Sequence, residues 1–569
     1  MGVKRAMDKV LAIARDKPGS IFTYGPLIHN RQAVELLEGR GIRAATSFDG
    51  VQQGTVLLRT HGVPPDTVAQ LQAAGLEVED GTCPHVLRGQ KSIARRSAEG
   101  YHVVIVGDRD HDEVAGLAGH AAGPCHIIAS AEEARTVPLG EKVLVVAQTT
   151  FNEAQFCDIV GLLRARKPDI EVVHSICTAT SERQEEARQL ARKVDAMVVV
   201  GGLHSANTRR LAEIAHATGT PTFHVETAAD LDLEHIARYE TVGVTAGAST
   251  PSWITSTVID KLRRVGEKQS PWAHLRGLFA RVVLDGNFFV AAAAAAVTYA
   301  AGKLMALQLA RWQQASLMTA AFGYIFSAYS LGRMAESRAG EFGLTRRGAF
   351  YQAHPVSMAV ISLVLSLVSF SLLAPLGPLA VALLAASYAM AGAYAILISP
   401  RKRLPSAFFR NIPASKDVLS AAGWTVATVF VPAVAAARGS VYSVSASAAL
   451  VAAFVFGLAF IRSVMFDFSD VMADRLLGRD TLPALIGVRR ARVVLGVLAV
   501  VLAIVLGAGA ATGKIAALGY WMLLCPAYVL SYVLIPGRTI TVSEHRTAVL
   551  ADGGMMLAGL IALAYAIVT

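Results

Sequence analysis

Three histidines of this chain stand beside hydroxyl, amide or carboxyl side chains, in Ile28-His29-Asn30, Thr60-His61-Gly62 and His111-Asp112-Glu113. Imidazole, hydroxyl and amide groups are the donors that an anionic, oxygen-rich ligand such as a diphosphate requires. Glu113, two residues after His111, is placed to supply a proton. Any one histidine taken alone is more simply a structural residue, so the reading rests on the set. Two of the five cysteines lie in turn-like settings rich in small hydroxyl residues: Cys83 in Asp80-Gly81-Thr82-Cys83-Pro84 and Cys177 in Ser175-Ile176-Cys177-Thr178-Ala179-Thr180. Thiolates so placed can hold an iron-sulfur cluster whose sulfurs take hydrogen bonds from neighbouring donors. There is no C-x-x-C spacing, and buried thiols are the alternative. Cys125, Cys157 and Cys525 read as structural.

These residues need elements to position them. Short β-rich runs at Val56 to Arg59, Val103 to Gly107, Val143 to Ala147, Met197 to Gly201 and Val242 to Ala246 alternate with amphipathic helical stretches, a pattern that predicts parallel βαβ units. Ligands of such sheets gather at the carboxyl ends of the strands. Polar clusters follow each run: Thr60-His61-Gly62, Asp108 to Glu113, Gln148-Thr149-Thr150, His204-Ser205-Ala206-Asn207 and Gly247-Ala248-Ser249.

The second half has a different character. Val356 to Leu373, Leu379 to Ile398, Ala448 to Val464, Val493 to Ala510 and Met555 to Val568 are near or above the length that crosses a bilayer core. The whole chain is 569 residues long and 53% hydrophobic with 17% charged residues, and its mean hydropathy of +0.45 is high for a protein without membrane spans. About nine spans are expected, centred near residues 293, 322, 364, 388, 429, 456, 501, 524 and 560. The formal charge of +10 sits largely in short loops between spans, which the positive-inside rule explains without nucleic acid. Arg333, Arg338, Arg346 and Arg347, then Arg401 to Arg403, Arg410 and Lys416, then Arg475, Arg479, Arg489 and Arg490 mark the cytoplasmic loops. The opening Met-Gly-Val-Lys-Arg-Ala carries no signal-peptide pattern, so the first domain is expected in the cytoplasm and the chain in the inner, cytoplasmic membrane as a multi-pass protein.

One more group could do chemistry. Asp467, Asp470 and Asp474 recur at i, i+3 and i+7, on one face of a helix end. Carboxylates at the edge of a span are costly unless they serve a cation or cavity, and such groups hold Mg²⁺ against phosphates. A solvated helix cap with arginine partners is the alternative.

Residues 1 to about 265 resemble the LytB/IspH family of 4-hydroxy-3-methylbut-2-enyl diphosphate reductases. The resemblance is carried by Gly2-Val3-Lys4-Arg5-Ala6, Ile28-His29-Asn30, Thr60 to Val63, Asp80 to Pro84, His111 to Glu113, Gln148 to Thr150, Cys177 to Thr180 with Arg183-Gln184, Ser205 to Asn207 and Val244 to Ser249. It implies an α/β fold of three modules around a central 4Fe-4S cluster, and reduction of an allylic alcohol diphosphate to isopentenyl and dimethylallyl diphosphate. A ferredoxin or flavodoxin would donate the electrons. It also implies that Cys83 and Cys177 ligate the cluster, that His29, His61, His111, Thr149, Ser205, Asn207 and Ser249 bind the diphosphate substrate, and that Glu113 donates protons. Two departures stand out. The family's Gly-Phe-Cys and first strand are missing before Met1, so an upstream start codon supplying that cysteine is expected. Ala206 replaces a phosphate-binding serine, a loss of about 1 kcal/mol.

Residues 275 to 569 resemble UbiA-type prenyltransferases. Asp467 to Pro483 is similar to that family's second aspartate motif, and Asn411, Lys416 and Trp424 to the loop before its fifth span. The resemblance implies Mg²⁺ on Asp467, Asp470 and Asp474, with Lys416 and Arg475 on a prenyl diphosphate. The first aspartate motif is eroded, since Tyr329 to Glu341 offers only Glu336 and Glu341. The expected organisation is therefore a reductase-like domain at 1–266, a linker at 267–280 and an all-α transmembrane domain at 281–569. Its partners are isoprenoid diphosphates, an electron donor and membrane lipid. Two other readings stay open, a silent membrane anchor on an active reductase and a non-catalytic diphosphate-binding membrane protein.

Overall fold

The computed structural model describes residues 2–17, 19–27, 31–51, 53–269, 271–338, 346–398, 414–437, 445–468, 471, 474, 481–534 and 544–569. The chain divides into two compact units, Met1–Leu262 and Arg263–Thr569.

Three parallel sheets build the first unit. Strands β1 (Ile21–Tyr24), β2 (Ile42–Ala45), β3 (Thr55–Leu58) and β4 (Glu77–Glu79) lie in the order β2-β1-β3-β4. Strands β5 (His102–Val106), β6 (Cys125–Ile128), β7 (Val143–Ala147) and β8 (Glu171–Val173) repeat that order as β6-β5-β7-β8. Strands β9 (Ala196–Val200), β10 (Thr222–Val225) and β11 (Val242–Ala246) form the third sheet, β10-β9-β11. Each pairing is parallel, with β5 in register from His102 against Val143 to Val106 against Ala147. Such a sheet has helices on both faces, so its central strands can be apolar at every position. The second sheet shows this directly. Val104, Val106, Val143 and Val145 enter one core cluster with Phe156 and Leu163, whereas Val103, Ile105, Leu144 and Val146 enter another with Ile93 and Leu117. The five runs expected from sequence are β3, β5, β7, β9 and β11, displaced by one residue at several ends. The other six strands are only three or four residues long, too brief for periodicity to show.

The second unit is helical among its described residues. A helix covers or abuts each expected centre: Phe288–Leu304, Arg311–Arg338, Pro355–Leu373, Pro378–Ile398, Ser415–Thr425 running through a π-turn into Val431–Ala436, Ala446–Asp467, Val488–Ala511, Leu524–Val533 and Glu544–Val568. Among the described residues five helices are long and apolar enough to cross a membrane, or six if the bent pair His274–Asp285 and Phe288–Leu304 is one span. Pro378–Ala393 and Leu518–Val533 are apolar but shorter. Each expected centre therefore meets a helix, while among the described residues five or six helices, not nine, reach the length and apolarity of a crossing. Residues 267–280 fall on the end of helix Ser252–Gln269 and on helix Pro271–Ala280.

A buried charge organises the middle of this unit. Arg462 pairs with Asp552, both almost wholly buried, and donates to the Tyr329 hydroxyl at 2.7 Å. Trp424 donates to the same oxygen at 3.2 Å, and the guanidinium lies 4.9 Å from the Tyr329 ring centre and 5.0 Å from that of Phe466. A buried guanidinium is tolerable only when a carboxylate, hydroxyl and ring faces replace its water. Asp552→Ala would strand that charge. The midpoint of thermal unfolding of the detergent-solubilised chain should fall steeply, corresponding to about 3–5 kcal/mol. Replacing both partners by apolar residues should recover most of the loss, and a single replacement as mild as the double one would refute this account.

Candidate functional site

The first unit gathers its chemistry where strands end and helices begin. Four of the expected site residues are helix N-caps: Cys83 before helix Pro84–Ala98, His111 before Asp112–Ala118, Cys177 before Thr178–Ala191 and Ser205 before Ala206–His216. The parallel topology causes this, because every strand carboxyl end feeds a helix whose first N–H groups point back across the sheet edge. Peptide dipoles there favour anions.

Two strand-end threonines anchor the cysteines. The Cys83 N–H donates to the Thr60 carbonyl at 2.9 Å and the Cys177 N–H to the Thr149 carbonyl at 3.2 Å. Both thiols are free and half-buried. Gly2 lies against Cys83 so closely that a Cβ on it would be 2.8 Å from the sulfur. At Gly62, which has φ +72°, a Cβ would be 2.3 Å from the Gln90 amide nitrogen. Only glycine fits between Thr60-His61 and the helix that Cys83 starts.

Glu113 is the most constrained group. Its side chain is 1% exposed, with one carboxyl oxygen accepting the Thr149 N–H at 2.6 Å and the other the Thr149 hydroxyl at 2.8 Å. Burial raises its pKa to about 7, against the lowering effect of the two Thr149 donors. The neighbouring His111 accepts the Glu113 N–H on Nδ1 at 3.1 Å, which leaves the proton of a neutral ring on Nε2. The His61 ring meets His111 edge-on, with centroids 5.3 Å apart. His61, His111, Glu113 and Thr149 thus form one connected group, and Cys177 joins it through Thr149.

The third sheet supplies Ser205, Asn207 and Ser249. Asn207 is buried, yet neither its amide nitrogen nor its amide oxygen has a hydrogen-bond partner. An orphaned buried amide costs on the order of 1–3 kcal/mol, and a bound ligand relieves it. The hydroxyl of Thr208, the next residue, is buried and unpaired as well. Arg210, on the same helix, pairs with Asp108 at 3.5 Å and lies 5.2 Å from the Phe151 ring centre, which draws this sheet to the second. Arg59 holds Asp112 at 2.5 Å and does the same for the first. Sequence reasoning missed Arg59, Thr208 and Arg210; the side of Asp112 and Asp108 in the expected clusters was the available signal. His29 lies outside the described residues.

Cys83 and Cys177, both free and half-buried, are the two thiols the sequence offers to a sulfur-ligated cluster. No group of three or more His, Cys, Asp or Glu suited to a metal occurs among the described residues.

In the second unit Asp467 is 2% exposed and pairs with the Lys416 ammonium at 2.8 Å. Asp474, also buried, accepts from the Thr481 hydroxyl at 3.2 Å. Asp417, which the sequence reading passed over despite its place beside Lys416, is fully buried and accepts from Ser463 at 2.6 Å. The second carboxyl oxygens of Asp417 and Asp467 are buried without a hydrogen-bond partner. Such oxygens suit a divalent cation. Lys416, expected on a diphosphate, is engaged by an expected metal ligand. Asp470, Arg475, Arg401 to Arg403, Arg410, Asn411 and Glu341 lie outside the described residues, and Glu336 falls on helix Arg311–Arg338.

Glu113 has a signed effect on stability. Its folded pKa of about 7 exceeds the ordinary 4.5, so its contribution is fully present below pH 4.5 and is lost as pH rises through about 7. Glu113→Gln removes this dependence. Against the parent chain the variant should gain on the order of 3 kcal/mol between pH 5 and pH 9, measured by urea-dependent proteolysis of the full chain. A constant difference across that range would show that the carboxyl is solvated.

Residues 1–263 match the family model described as LytB protein, and residues 351–547 match that of the UbiA prenyltransferase family. A 4-hydroxy-3-methylbut-2-enyl diphosphate reductase of Geobacter sulfurreducens is 44% identical over 268 residues, 47% of this chain and 95% of the relative. The E-1-hydroxy-2-methyl-but-2-enyl-4-diphosphate reductase of Plasmodium falciparum aligns at 26% identity over 46% of this chain and 83% of its own, TM-score 0.44. A UbiA homolog of Aeropyrum pernix K1 aligns at 16% identity over 49% of this chain and 98% of its own, TM-score 0.41.

Proposed function

The chain belongs, through residues 1–263, to the LytB family, and from that premise we propose that its first unit reduces 4-hydroxy-3-methylbut-2-enyl diphosphate to isopentenyl and dimethylallyl diphosphate. The observation that carries the reading is the dry Glu113 carboxyl, neutral up to about pH 7 and seated among diphosphate-type donors. A proton donor near that pH suits departure of a hydroxyl as water. Two electrons and two protons enter, the allylic C–O bond breaks, and a C–H bond and water form. A 4Fe-4S cluster held by Cys83 and Cys177 supplies the electrons when bound.

The chain's own residues do the rest. His61 and His111, with Thr149, Ser205, Asn207, Ser249 and His29, bind the substrate's oxygens. The unpaired Asn207 amide is built to donate to one oxygen and accept from another group of the ligand. Thr149 orients the Glu113 carboxyl, and Glu113 delivers the proton to the leaving oxygen. The electrons come from a small donor such as ferredoxin or flavodoxin.

The second unit is that of a multi-pass membrane protein with a UbiA-type match. Its proposed activity is Mg²⁺-dependent binding and transfer of a prenyl group from its diphosphate. Asp467, Asp470 and Asp474 would hold the cation, and Lys416 and Arg475 the phosphates. The two unpartnered carboxyl oxygens of Asp417 and Asp467 support a cation there. The proposed organisation places residues 1–266 in the cytoplasm, joined through 267–280 to a domain at 281–569 in the inner membrane.

Two measurements test the two halves. With cluster-loaded protein and a chemical reductant, Glu113→Gln should retain substrate binding and lose about a hundredfold or more in turnover, the scale of general acid catalysis. Near-normal turnover removes Glu113 from the mechanism. In the detergent-solubilised chain, Asp467→Asn should weaken Mg²⁺-dependent binding of a prenyl diphosphate and leave the reductase untouched. If the parent chain binds no prenyl diphosphate in a Mg²⁺-dependent way, the second unit is an anchor.

A further inference from the structure

Helix Pro271–Ala280 has an apolar face that no described element of its own unit covers. Trp272 is 75% exposed, Leu275 55%, Leu278 45% and Phe279 66%. At the α-helical repeat these four fall within about a third of the circumference, while His274 and Arg276, also exposed, lie on the rest. A water-facing stripe of this kind is unstable as a surface.

The helix does not continue into the span that follows. The segments His274–Asp285 and Phe288–Leu304 are bent by 57°, and the elbow is built rather than slack. Asn287 sits in the left-handed region at φ 64°, and its side-chain amide donates to the Tyr351 hydroxyl at 2.8 Å, which shares a further bond with Ser330 at 2.7 Å. Two residues earlier, the buried Asp285 carboxylate is 2.8 Å from the His545 ring nitrogen. The first contact is buried and the second partly buried, and both bind the elbow to helices of the same unit.

We propose that helix Pro271–Ala280 lies in the plane of the membrane interface, with Trp272, Leu275, Leu278 and Phe279 seated at the headgroup boundary of an anionic lipid leaflet. The occupant follows from three observations. The span Phe288–Leu304 begins eight residues after the helix ends, so the bilayer surface is what lies beside the elbow. A fixed bend of 57° turns its axis away from that span. A basic side chain borders the apolar stripe on the same helix, with Arg276 exposed, and it would gain from anionic headgroups. Tryptophan is the residue best suited to that boundary. An in-plane helix of this kind fixes where the polypeptide leaves the membrane.

The inference rests on the reading of the second unit as a membrane protein, and the test separates the two. The full chain is reconstituted into vesicles of phosphatidylcholine and phosphatidylglycerol that carry a nitroxide either near the headgroup or at the end of an acyl chain. Resistance to alkaline carbonate extraction reports that the spans are inserted. The fluorescence lost in Trp272→Phe reports position 272 alone. That component should be quenched several-fold more by the headgroup-proximal nitroxide than by the deep one, and only weakly by aqueous iodide. Leu275→Glu with Phe279→Glu should open Trp272 to iodide without releasing the protein from the vesicles. Strong iodide quenching in the parent chain, or strongest quenching by the deep nitroxide, overturns the proposal while carbonate resistance leaves the membrane reading standing.

Discussion

Glu113 gives both carboxyl oxygens to Thr149, and that is possible only if the loop after β7 lies against the helix start that follows β5. The rest of the first unit can be read as meeting this condition. Strands β5 and β7 are neighbours in register, buried on both faces, so their carboxyl ends cannot drift apart. Thr149 then carries a second duty, since its carbonyl takes the Cys177 N–H. One residue therefore fixes the orientation of a buried acid and the position of the cysteine backbone. Loss of the hydroxyl would free one Glu113 oxygen, whereas a change of loop conformation would release both partners.

The same arrangement recurs at lower strength in the first sheet, where Thr60 holds Cys83 and Gly62 lets the helix carrying Gln90 approach. Repetition is a consequence of topology. A parallel strand must hand the chain to a helix, the helix start offers unpaired N–H groups, and the residue at that junction faces whatever binds at the sheet edge. Cys83, His111, Cys177 and Ser205 occupy four such junctions. Charge pairs at the rims, Arg59 with Asp112 and Arg210 with Asp108, then align the three edges.

In the second unit desolvation sets the terms. Arg462 and Asp552 are kept charged in an apolar bundle by each other, by the Tyr329 hydroxyl and by aromatic faces. Lys416 does the corresponding service for Asp467. Beside that pair, the buried Asp417 carboxyl takes a hydrogen bond from the Ser463 hydroxyl. The difference marks the two places apart: the first is closed and structural, and the second has unmet carboxyl oxygens.

The sequence by itself determined the α/β class of residues 1–263, five of the strands, the residues at strand ends, and an apolar second half. Those features depend on local periodicity and composition, which survive in a one-dimensional reading. The short strands β1, β2, β4, β6, β8 and β10 did not, because three or four residues carry no usable period. Nor did the unmet demands of Asp417, Asn207 and Thr208, which arise only when distant elements close over a polar group. The tertiary structure alone decided that Glu113 is dry, that Lys416 meets Asp467, and that the chain bends at Asn287 before its first long apolar helix. In each case the deciding quantity is the loss of water around a polar atom, and that depends on which parts of the fold surround it.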